Sequence, residues 1–195
     1  MIKRITIIQG HPDAQIRHFG HALADEYAKG AEDGGYEVKR IEVARLDFPV
    51  LRTKEEFEKG VVPDSIRQAQ DAINWADHLV IIHPLWHGMM PAFLKAFLEQ
   101  VFRPGFGYTP SESGRMWKKR LTGKSARIVI TMGMPAFFYR WYFGSHGLKS
   151  LKSSILKFSG IGPIKASLIG MVEGMNEQQR AGRLDTMRAL GEQGK

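Results

Sequence analysis

The chain has 195 residues, 43% of them hydrophobic and 25% charged, a composition typical of one globular domain, and we predict a single domain over residues 1–195. The absence of cysteine excludes disulfide bonds, thiolate chemistry and cysteine-bound zinc, so any redox chemistry requires a bound cofactor. The formal net charge is +8, but the basic residues are mostly dispersed and form no known nucleic-acid motif, which favours a solvated basic surface over nucleic-acid binding.

The hydropathy pattern contains neither a membrane segment nor a secretion signal. No run approaches the ~20 apolar residues that a membrane helix needs. The first apolar run is too short for a signal peptide, and polar His11 and Asp13 stand where a small-residue cleavage site would be expected. We therefore expect a cytoplasmic protein without membrane insertion, and we predict no metal site.

In chain order, short runs rich in β-branched residues alternate with segments of helical periodicity. The predicted strands are 3–9, 36–43, 78–84, 125–133 and 164–172, and the predicted helices are 18–32, 63–75, 91–102, 146–158 and the segment from 176 onward. Residues 44–63 are predicted to be irregular. Residues 103–124 form a long excursion rich in Gly, Pro and Ser, which we interpret as functional or interfacial.

This alternation predicts the fold. Strands that alternate with helices form parallel sheets through right-handed crossovers. Five such strands indicate an α/β, flavodoxin-like open sheet of order 2-1-3-4-5 with helices on both faces. Ligands of such sheets bind beyond the carboxyl ends of the strands, at the switch point between the first and third. The candidate binding loops therefore follow Gln9, His83 and Met132.

The first loop, GHPDAQIRHF, leads from a strand into a helix. Backbone N–H groups and the positive helix end could bind a phosphate there, with His11 and Arg17 adding charge or donors. The loop matches neither a Walker loop nor a GxGxxG fingerprint, which excludes the usual triphosphate and dinucleotide interpretations. The alternative is a simple turn after the strand.

The second loop, HPLWHGMMPAF, offers flat apolar contacts to a planar ring. Trp86 and His87 lie with glycine and methionine between two prolines, and an aromatic ligand needs such contacts plus a few backbone hydrogen bonds. Met89 and Met90 could equally belong to the core, and His83 could be a core histidine.

The third loop, TMGMPAFFYRWYFGSHG, contains six aromatic residues within seven positions, at 137–143. So many cannot all be hidden inside one short connection, so some are expected to face a ligand or a partner subunit. His146, at the start of the next helix, could donate a hydrogen bond to an anionic acceptor atom.

In this order and spacing, the three loops resemble the quinone reductase branch of the flavodoxin-like superfamily, the NAD(P)H:quinone oxidoreductases and their bacterial relatives. The resemblance covers nearly the whole chain. It is carried by GHP at 10–12, HPLWHGMMPAFLKAFLEQVFRPGFGY at 83–108, TMG at 131–133, GSHG at 144–147 and GIGPIKASLIGMVE at 160–173. One departure is His18-Phe19, where the family usually has Ser-Phe, so a phosphate contact by a hydroxyl is not expected.

The resemblance implies a role for residues of each loop. The implied flavin-binding residues are His11, Arg17, His18 and Phe19 at the phosphate, Pro84, Leu85, Trp86 and His87 along the isoalloxazine ring, and Thr131, Met132 and Gly133 on its other side. His146 matches the family's active-site histidine. Tyr139 is the nearest match to its catalytic tyrosine, with Tyr142 as the alternative.

The resemblance also implies a cofactor and a reaction. The cofactor is expected to be FAD, with FMN as the alternative, and NAD(P)H is the co-substrate of a ping-pong, two-electron hydride transfer to a quinone or similar flat acceptor. A homodimer is implied, in which Phe106, Trp117 and Tyr142 would line the acceptor pocket. Two other functions stay open: a regulatory flavoprotein bound to a potassium-efflux transporter, and a non-catalytic nucleotide-binding module.

Overall fold

A parallel sheet forms the centre of the molecule. The computed structural model describes residues 3–110 and 116–195. The described residues form seven strands, β1 (Arg4–Gln9), β2 (Glu37–Glu42), β3 (His78–Pro84), β4 (Tyr108–Pro110), β5 (Trp117–Lys119), β6 (Ser125–Thr131) and β7 (Ile164–Ile169). Five of them form one parallel sheet in the order β2-β1-β3-β6-β7, while β4 and β5 form a separate ribbon. The predicted order 2-1-3-4-5 is confirmed.

Helices cover both faces of this sheet. They are α1 (Phe19–Asp33), α2 (Lys54–Lys59), α3 (Asp64–Trp75), α4 (Ala92–Val101), α5 (Ala136–Trp141), α6 (His146–Ser150) and α7 (Glu177–Glu192), with a π-helical segment at Leu151–Lys157. Alternate residues of the central strand β3 pack into two hydrophobic cores, one on each face of the sheet. Leu79 packs on the α3 and α4 side, and Val80 packs on the α1 and α7 side. Within the described ranges, no helix is long and apolar enough to cross a bilayer.

Two predicted irregular segments contain short helices. α2 begins at a capping box, in which the Glu56 N–H donates to Thr53 Oγ1 at 3.1 Å and the Thr53 N–H donates to Glu56 Oε2 at 3.3 Å. α5 follows Pro135, whose carbonyl accepts from the Phe138 N–H at 3.0 Å. The prediction of loops at these two places was wrong, although the Thr-x-x-Glu pattern of α2 is readable in the sequence.

The predicted excursion contains the β4–β5 ribbon. Tyr108 pairs with Lys119 and Pro110 with Trp117 in antiparallel register, and part of the excursion, 111–115, lies outside the described residues. The ribbon is held to the body of the protein by Phe158, whose ring stacks on Trp117 with centroids 4.6 Å apart.

Helices α1 and α7 touch backbone to backbone at two glycines. A Cβ atom added to Gly30 would lie 2.0 Å from the Arg188 carbonyl oxygen, and one added to Gly191 would lie 2.2 Å from the Tyr27 carbonyl oxygen. No side chain fits at either place unless the helices separate. This seam lies in the second half of both helices. At their beginnings, the Arg180 guanidinium lies 5.1 Å from the centre of the Phe19 ring, so the two helices run side by side.

Candidate functional site

A cleft of about 570 Å³ lies where β1, β3 and β6 end, at the switch point of the sheet. Its volume is in the range of small-molecule sites. Nine predicted binding residues line it: His11, His18, Phe19, Pro84, Leu85, Trp86, Thr131, Met132 and Gly133. The other lining residues are Gln9, Asp13, Gly20, His83, Val172, Glu173 and Arg180.

A larger cavity, of about 680 Å³, lies on the other side of the turn that follows β7. It is lined mainly by glycines, methionines and residues of α7, and none of the predicted site residues reaches it. Because open α/β sheets bind their ligands at the switch point, the smaller cleft is the better candidate for the functional site.

The 11–18 loop is folded by its own hydrogen bonds. Side chains accept from five of its backbone N–H groups, those of His11, Asp13, Gln15, Ile16 and His18. The Asp13 carboxylate accepts two of these bonds, from Gln15 at 2.8 Å and from Ile16 at 3.2 Å. A bound anion would therefore depend on side chains and on the start of α1 rather than on this loop's backbone.

Two histidines of this loop stack on each other. The rings of His11 and His18 have centroids 3.8 Å apart and an interplanar angle of 19°. His18 Nε2 lies 2.9 Å from an Asp13 carboxylate oxygen, and His11 Nδ1 accepts the Asp13 N–H at 3.1 Å. Burial, with smaller contributions from His18 and His21, lowers the pKa of His11 to about 4. The bond from His18 and those from the loop N–H groups lower the pKa of Asp13 to about 2, so at neutral pH His11 is neutral and Asp13 ionised.

The second loop contains a tight turn that leaves donors free. Trp86 and Met89 exchange two backbone hydrogen bonds of 2.9 Å, and the residues between them, His87 and Gly88, have φ of 47° and 76°. Two successive positive φ angles are typical of a type I′ turn. The N–H groups of His87 and Gly88 have no partner in the described part of the chain. Trp86 is 48% exposed, so its ring presents a free apolar surface to the cleft.

His83 is a buried neutral histidine at the end of β3. Its Nδ1 lies 2.8 Å from the Pro84 carbonyl oxygen, and because a carbonyl only accepts, Nδ1 carries the proton. Burial lowers the pKa of His83 to about 4. The ring therefore borders the cleft in its neutral form, with Nε2 unprotonated.

The third loop also leaves free donors, next to the end of β6. The Met132 N–H donates to the Ile169 carbonyl at 2.9 Å, whereas the N–H groups of Gly133 and Met134 lack a partner among residues 3–110 and 116–195. A Cβ atom on Gly133 would lie 3.7 Å from the Glu173 carboxylate. Of the two pairs of free backbone donors, the pair at 87–88 directly follows the cleft residue Trp86, and the pair at 133–134 includes the cleft residue Gly133.

The GSHG segment packs on the second loop. A Cβ atom on Gly147 would lie 2.6 Å from the Gly88 carbonyl oxygen and 3.0 Å from Met89 Cα. Ser145, with φ of 52°, turns the chain sharply into α6. Gly147 therefore sets the distance between the segment that carries His146 and the turn that carries the free donors.

The two predicted catalytic residues lie beside the cleft rather than in its walls. His146 is exposed at the first position of α6. Tyr139 is fully buried, its hydroxyl accepts the Leu148 N–H at 3.0 Å, and its pKa is raised by burial. The structure therefore gives the Tyr139 hydroxyl a partner near the start of α6.

The remaining predicted residues have other contacts. Those outside the cleft walls, besides His146 and Tyr139, are Arg17, His87, Phe106, Trp117 and Tyr142. Arg17 pairs with Asp25, and His87 is exposed in its turn. Each of the three aromatic residues packs on a neighbouring ring, of Phe102, Phe158 or Phe138 respectively. These ring contacts place the predicted acceptor pocket residues away from the cleft within one copy of the chain.

The sequence analysis did not predict the part of the cleft wall that is formed by the turn after β7 and by α7. Glu173 and Arg180 line the cleft from the turn after β7 and from α7. The Arg180 guanidinium donates to the Val172 carbonyl at 2.8 Å and lies 5.1 Å from the centre of the Phe19 ring. The available signals were the position of this turn at the carboxyl end of a fifth parallel strand and the family resemblance of 160–173, which ends at Glu173.

An open α/β sheet with such a cleft at its switch point defines the class of doubly wound proteins that bind ligands beyond their strand ends. Residues 3–190 match the family described as Flavodoxin-like fold, and the chain belongs to that family.

Three known proteins illustrate the similarity. An uncharacterized NAD(P)H oxidoreductase of Haemophilus influenzae is 27% identical over 183 residues, which are 92% of this chain and 89% of that protein. An FMN-dependent NADH:quinone oxidoreductase of Alteromonas mediterranea is 28% identical over 124 residues, 57% of this chain and 60% of that protein. The solved structure of an NAD(P)H:quinone oxidoreductase from Methanothermobacter marburgensis superposes with a TM-score of 0.84 at 20% identity, over 100% of both chains, and shows the shared fold.

Proposed function

We propose that this protein is a flavin-dependent oxidoreductase that transfers two electrons from NAD(P)H to a quinone or a similar flat acceptor. The observation that carries the proposal is the cleft at the switch point, with the Trp86 ring in one wall and two pairs of free backbone N–H groups beside it. The chain's relatives with this fold include proteins named as NAD(P)H and quinone oxidoreductases.

The cleft fits a flavin by its chemistry. An isoalloxazine ring has flat apolar faces and a polar edge of hydrogen-bond acceptors, so it requires an aromatic wall and nearby donors. Trp86 and Met132 supply apolar surface, and the N–H groups at 87–88 and 133–134 supply donors. We propose FMN in place of FAD, the cofactor first expected, because relatives such as the Alteromonas enzyme are named as FMN-dependent.

The residues would act mainly by positioning and by electrostatics. A bound flavin supplies the hydride chemistry, because no side chain of this cleft can carry out redox reactions. The free N–H groups at 133–134, together with His146, would stabilise negative charge that develops on the polar edge of the ring. Tyr139 would act indirectly, because its hydroxyl holds the Leu148 N–H and so fixes the start of α6. The exposed Trp86 ring would pack against one face of the flavin. The opposite face of the flavin would stay open, so that NAD(P)H and the acceptor could bind there in turn.

The first test is the reaction itself. Purified protein reconstituted with FMN is expected to oxidise NADH or NADPH when menadione is present, with parallel lines in double-reciprocal plots at several menadione concentrations. A Trp86→Ala variant should bind FMN at least about tenfold more weakly, because it loses the aromatic wall. Trp75→Ala is the matched control, since Trp75 packs at the end of α3, outside the cleft.

Other results would select a different function. Flavin binding without any NAD(P)H oxidation would contradict the enzyme and favour the regulatory flavoprotein. A chain that binds neither FMN nor FAD would favour the non-catalytic nucleotide-binding module.

We propose a homodimer as the working form. Helix α5 and its C-cap residue Tyr142 expose three large rings, Phe137, Trp141 and Tyr142, to 72%, 84% and 68%, which is an unusually large apolar surface for so short a segment. A second copy that covers α5 would bury these rings and could bring Phe106 and Trp117 toward the neighbouring cleft. Sedimentation at micromolar concentration should show twice the mass of the chain, and a monomer would contradict the proposal.

A further inference from the structure

The end of the cleft formed by the first loop holds an ionised carboxylate, Asp13, without a fixed cation paired to it. Arg17 belongs to the same loop, but it pairs with Asp25 and lines a separate cavity of about 80 Å³ behind the loop. Among the described residues that line the cleft, Arg180 is the single permanent cation, and it already donates to the Val172 and Met175 carbonyls. Apart from the partial positive charge at the start of α1, a phosphate dianion bound beside Asp13 would therefore lack compensating charge unless another group became positive.

The stacked histidines are the groups that can supply this charge. His11 is 9% exposed, its Nδ1 is used by the Asp13 N–H, and its Nε2 has no protein partner within the described ranges. His11 Nε2 is therefore accessible from the cleft or from the cavity behind the loop. His18 directs its Nε2 to Asp13, which leaves Nδ1 without a side-chain partner. Because His11 Nδ1 accepts a hydrogen bond, the neutral His11 ring carries its proton on Nε2 and can donate it to a ligand. His18 Nε2 donates to the Asp13 carboxylate, so His18 Nδ1 is the nitrogen of the pair that can take up a proton.

We propose that the His11–His18 pair selects the flavin by its phosphate, taking up one proton when a phosphate monoester dianion binds and thereby favouring FMN over riboflavin and FAD. This inference rests on the proposed function, because it assumes that the ligand is a flavin. Imidazole ordinarily titrates near pH 6.5 and the second proton of a phosphate monoester near pH 6, so above pH 7 both are mostly deprotonated before they meet. A shared proton then gives charge-assisted hydrogen bonds to the dianion.

The stacking limits the uptake to one proton. Two imidazolium rings with centroids 3.8 Å apart would repel each other strongly, whereas one charged and one neutral ring would not. Each phosphate of FAD is a diester that carries a single negative charge and does not titrate in this range. It would therefore draw a proton onto the pair less effectively, and riboflavin, which has no phosphate, would not do so at all.

The surroundings leave the histidines as the titrating groups. The charged and titratable residues around the pair are Asp13 in the loop, His21 on α1, Glu42 at the end of β2, Arg17 and Arg45 behind the loop, and Glu173 and Arg180 across the cleft. Only the histidines among them ordinarily change charge between pH 6 and 8. Desolvation, and then the nearby Arg17, lower the pKa of His21, and its Nδ1 already accepts the His18 N–H, which makes it the weaker candidate for uptake.

Calorimetry of flavin-free protein tests the proposal without reference to activity. FMN titrated at pH 7.5 in two buffers of different ionisation enthalpy should show an uptake of about one proton per flavin. Because binding consumes a proton, the FMN affinity should fall as pH rises, by as much as about tenfold per pH unit between pH 7.5 and 8.5. Riboflavin and FAD should bind more weakly and with smaller pH dependence.

Substitutions at His18 distinguish proton uptake from a simple contact between this side chain and the phosphate. His18→Gln should abolish the uptake and weaken FMN binding at pH 7. His18→Lys carries a permanent charge, because lysine titrates near pH 10.4, so it should bind FMN without proton uptake and with little change from pH 7 to 8.5. The matched control is His78→Gln at the opposite end of the sheet, where the amide can keep the bond to Ser125 and uptake should be unchanged.

Several results would overturn the inference. They are FMN binding without proton uptake in the unmodified protein, equal affinity and pH dependence for FMN and FAD, or full uptake in a folded His18→Gln variant. Failure to bind any flavin would instead overturn the proposed function together with this inference, so the two failures are distinguishable.

Discussion

A Gly30→Ala variant is expected to lose about 3 kcal/mol or more of its free energy of unfolding. The added methyl carbon would lie 2.0 Å from the Arg188 carbonyl oxygen, and the neighbour is backbone, so it cannot rotate away. Overpacking of this kind costs about 1–3 kcal/mol, occasionally more, and α1 and α7 would have to separate along their length. Urea denaturation followed by circular dichroism measures the change.

The control for this prediction is on the same pair of helices. Gly182 lies in α7 with no atom within 4 Å of an added Cβ, so Gly182→Ala should stabilise the protein by about 0.5–1 kcal/mol through helix propensity. If Gly30→Ala proved as harmless as Gly182→Ala, the tight packing of α1 against α7 would be refuted.

A Gly147→Ala variant is expected to lose at least about tenfold in FMN affinity and turnover while it remains folded. Its Cβ would lie 2.6 Å from the Gly88 carbonyl oxygen, so the GSHG segment must move away from the 86–89 turn. A displacement that costs about 1.4 kcal/mol in the bound state is tenfold in affinity. Because alanine favours a helix over glycine, the loss cannot come from α6 itself.

The comparison variant is Gly174→Ala, in the turn beside the cleft. There the nearest atom would be 3.9 Å away, which is an ordinary van der Waals contact, so binding and turnover should stay close to those of the unmodified protein. Flavin fluorescence titration and the menadione assay measure both quantities. Equal behaviour of the two variants would contradict the role given to Gly147.

The sheet and much of the cleft could be predicted because they depend on patterns within short stretches of sequence. Buried runs such as 78–84 and 125–131 have the β-branched composition of central strands, and parallel topology then brings the loops after Gln9, His83 and Met132 together. The positions of Pro84 to Trp86 and Thr131 to Gly133 in the cleft follow from that topology alone.

The wall made by Glu173 and Arg180 could not be predicted in the same way. These residues reach the cleft because α7 packs on α1, and that contact joins segments about 160 positions apart through glycines whose role is invisible in the sequence. The same limit applies to the aromatic cluster at 137–143. Composition indicates that some rings are exposed, but only packing shows that Tyr139 is buried while Trp141 is not.

The seam between α1 and α7 also has a consequence for how the holoprotein forms. During synthesis the first loop and β3 leave the ribosome long before α7, yet the cleft is closed on one side by residues of α7 and the turn before it. A nascent chain that has made only four of the five parallel strands would present the first loop on an incompletely packed α1. Cofactor binding is therefore expected to follow the docking of α7 on α1 rather than the growth of the sheet.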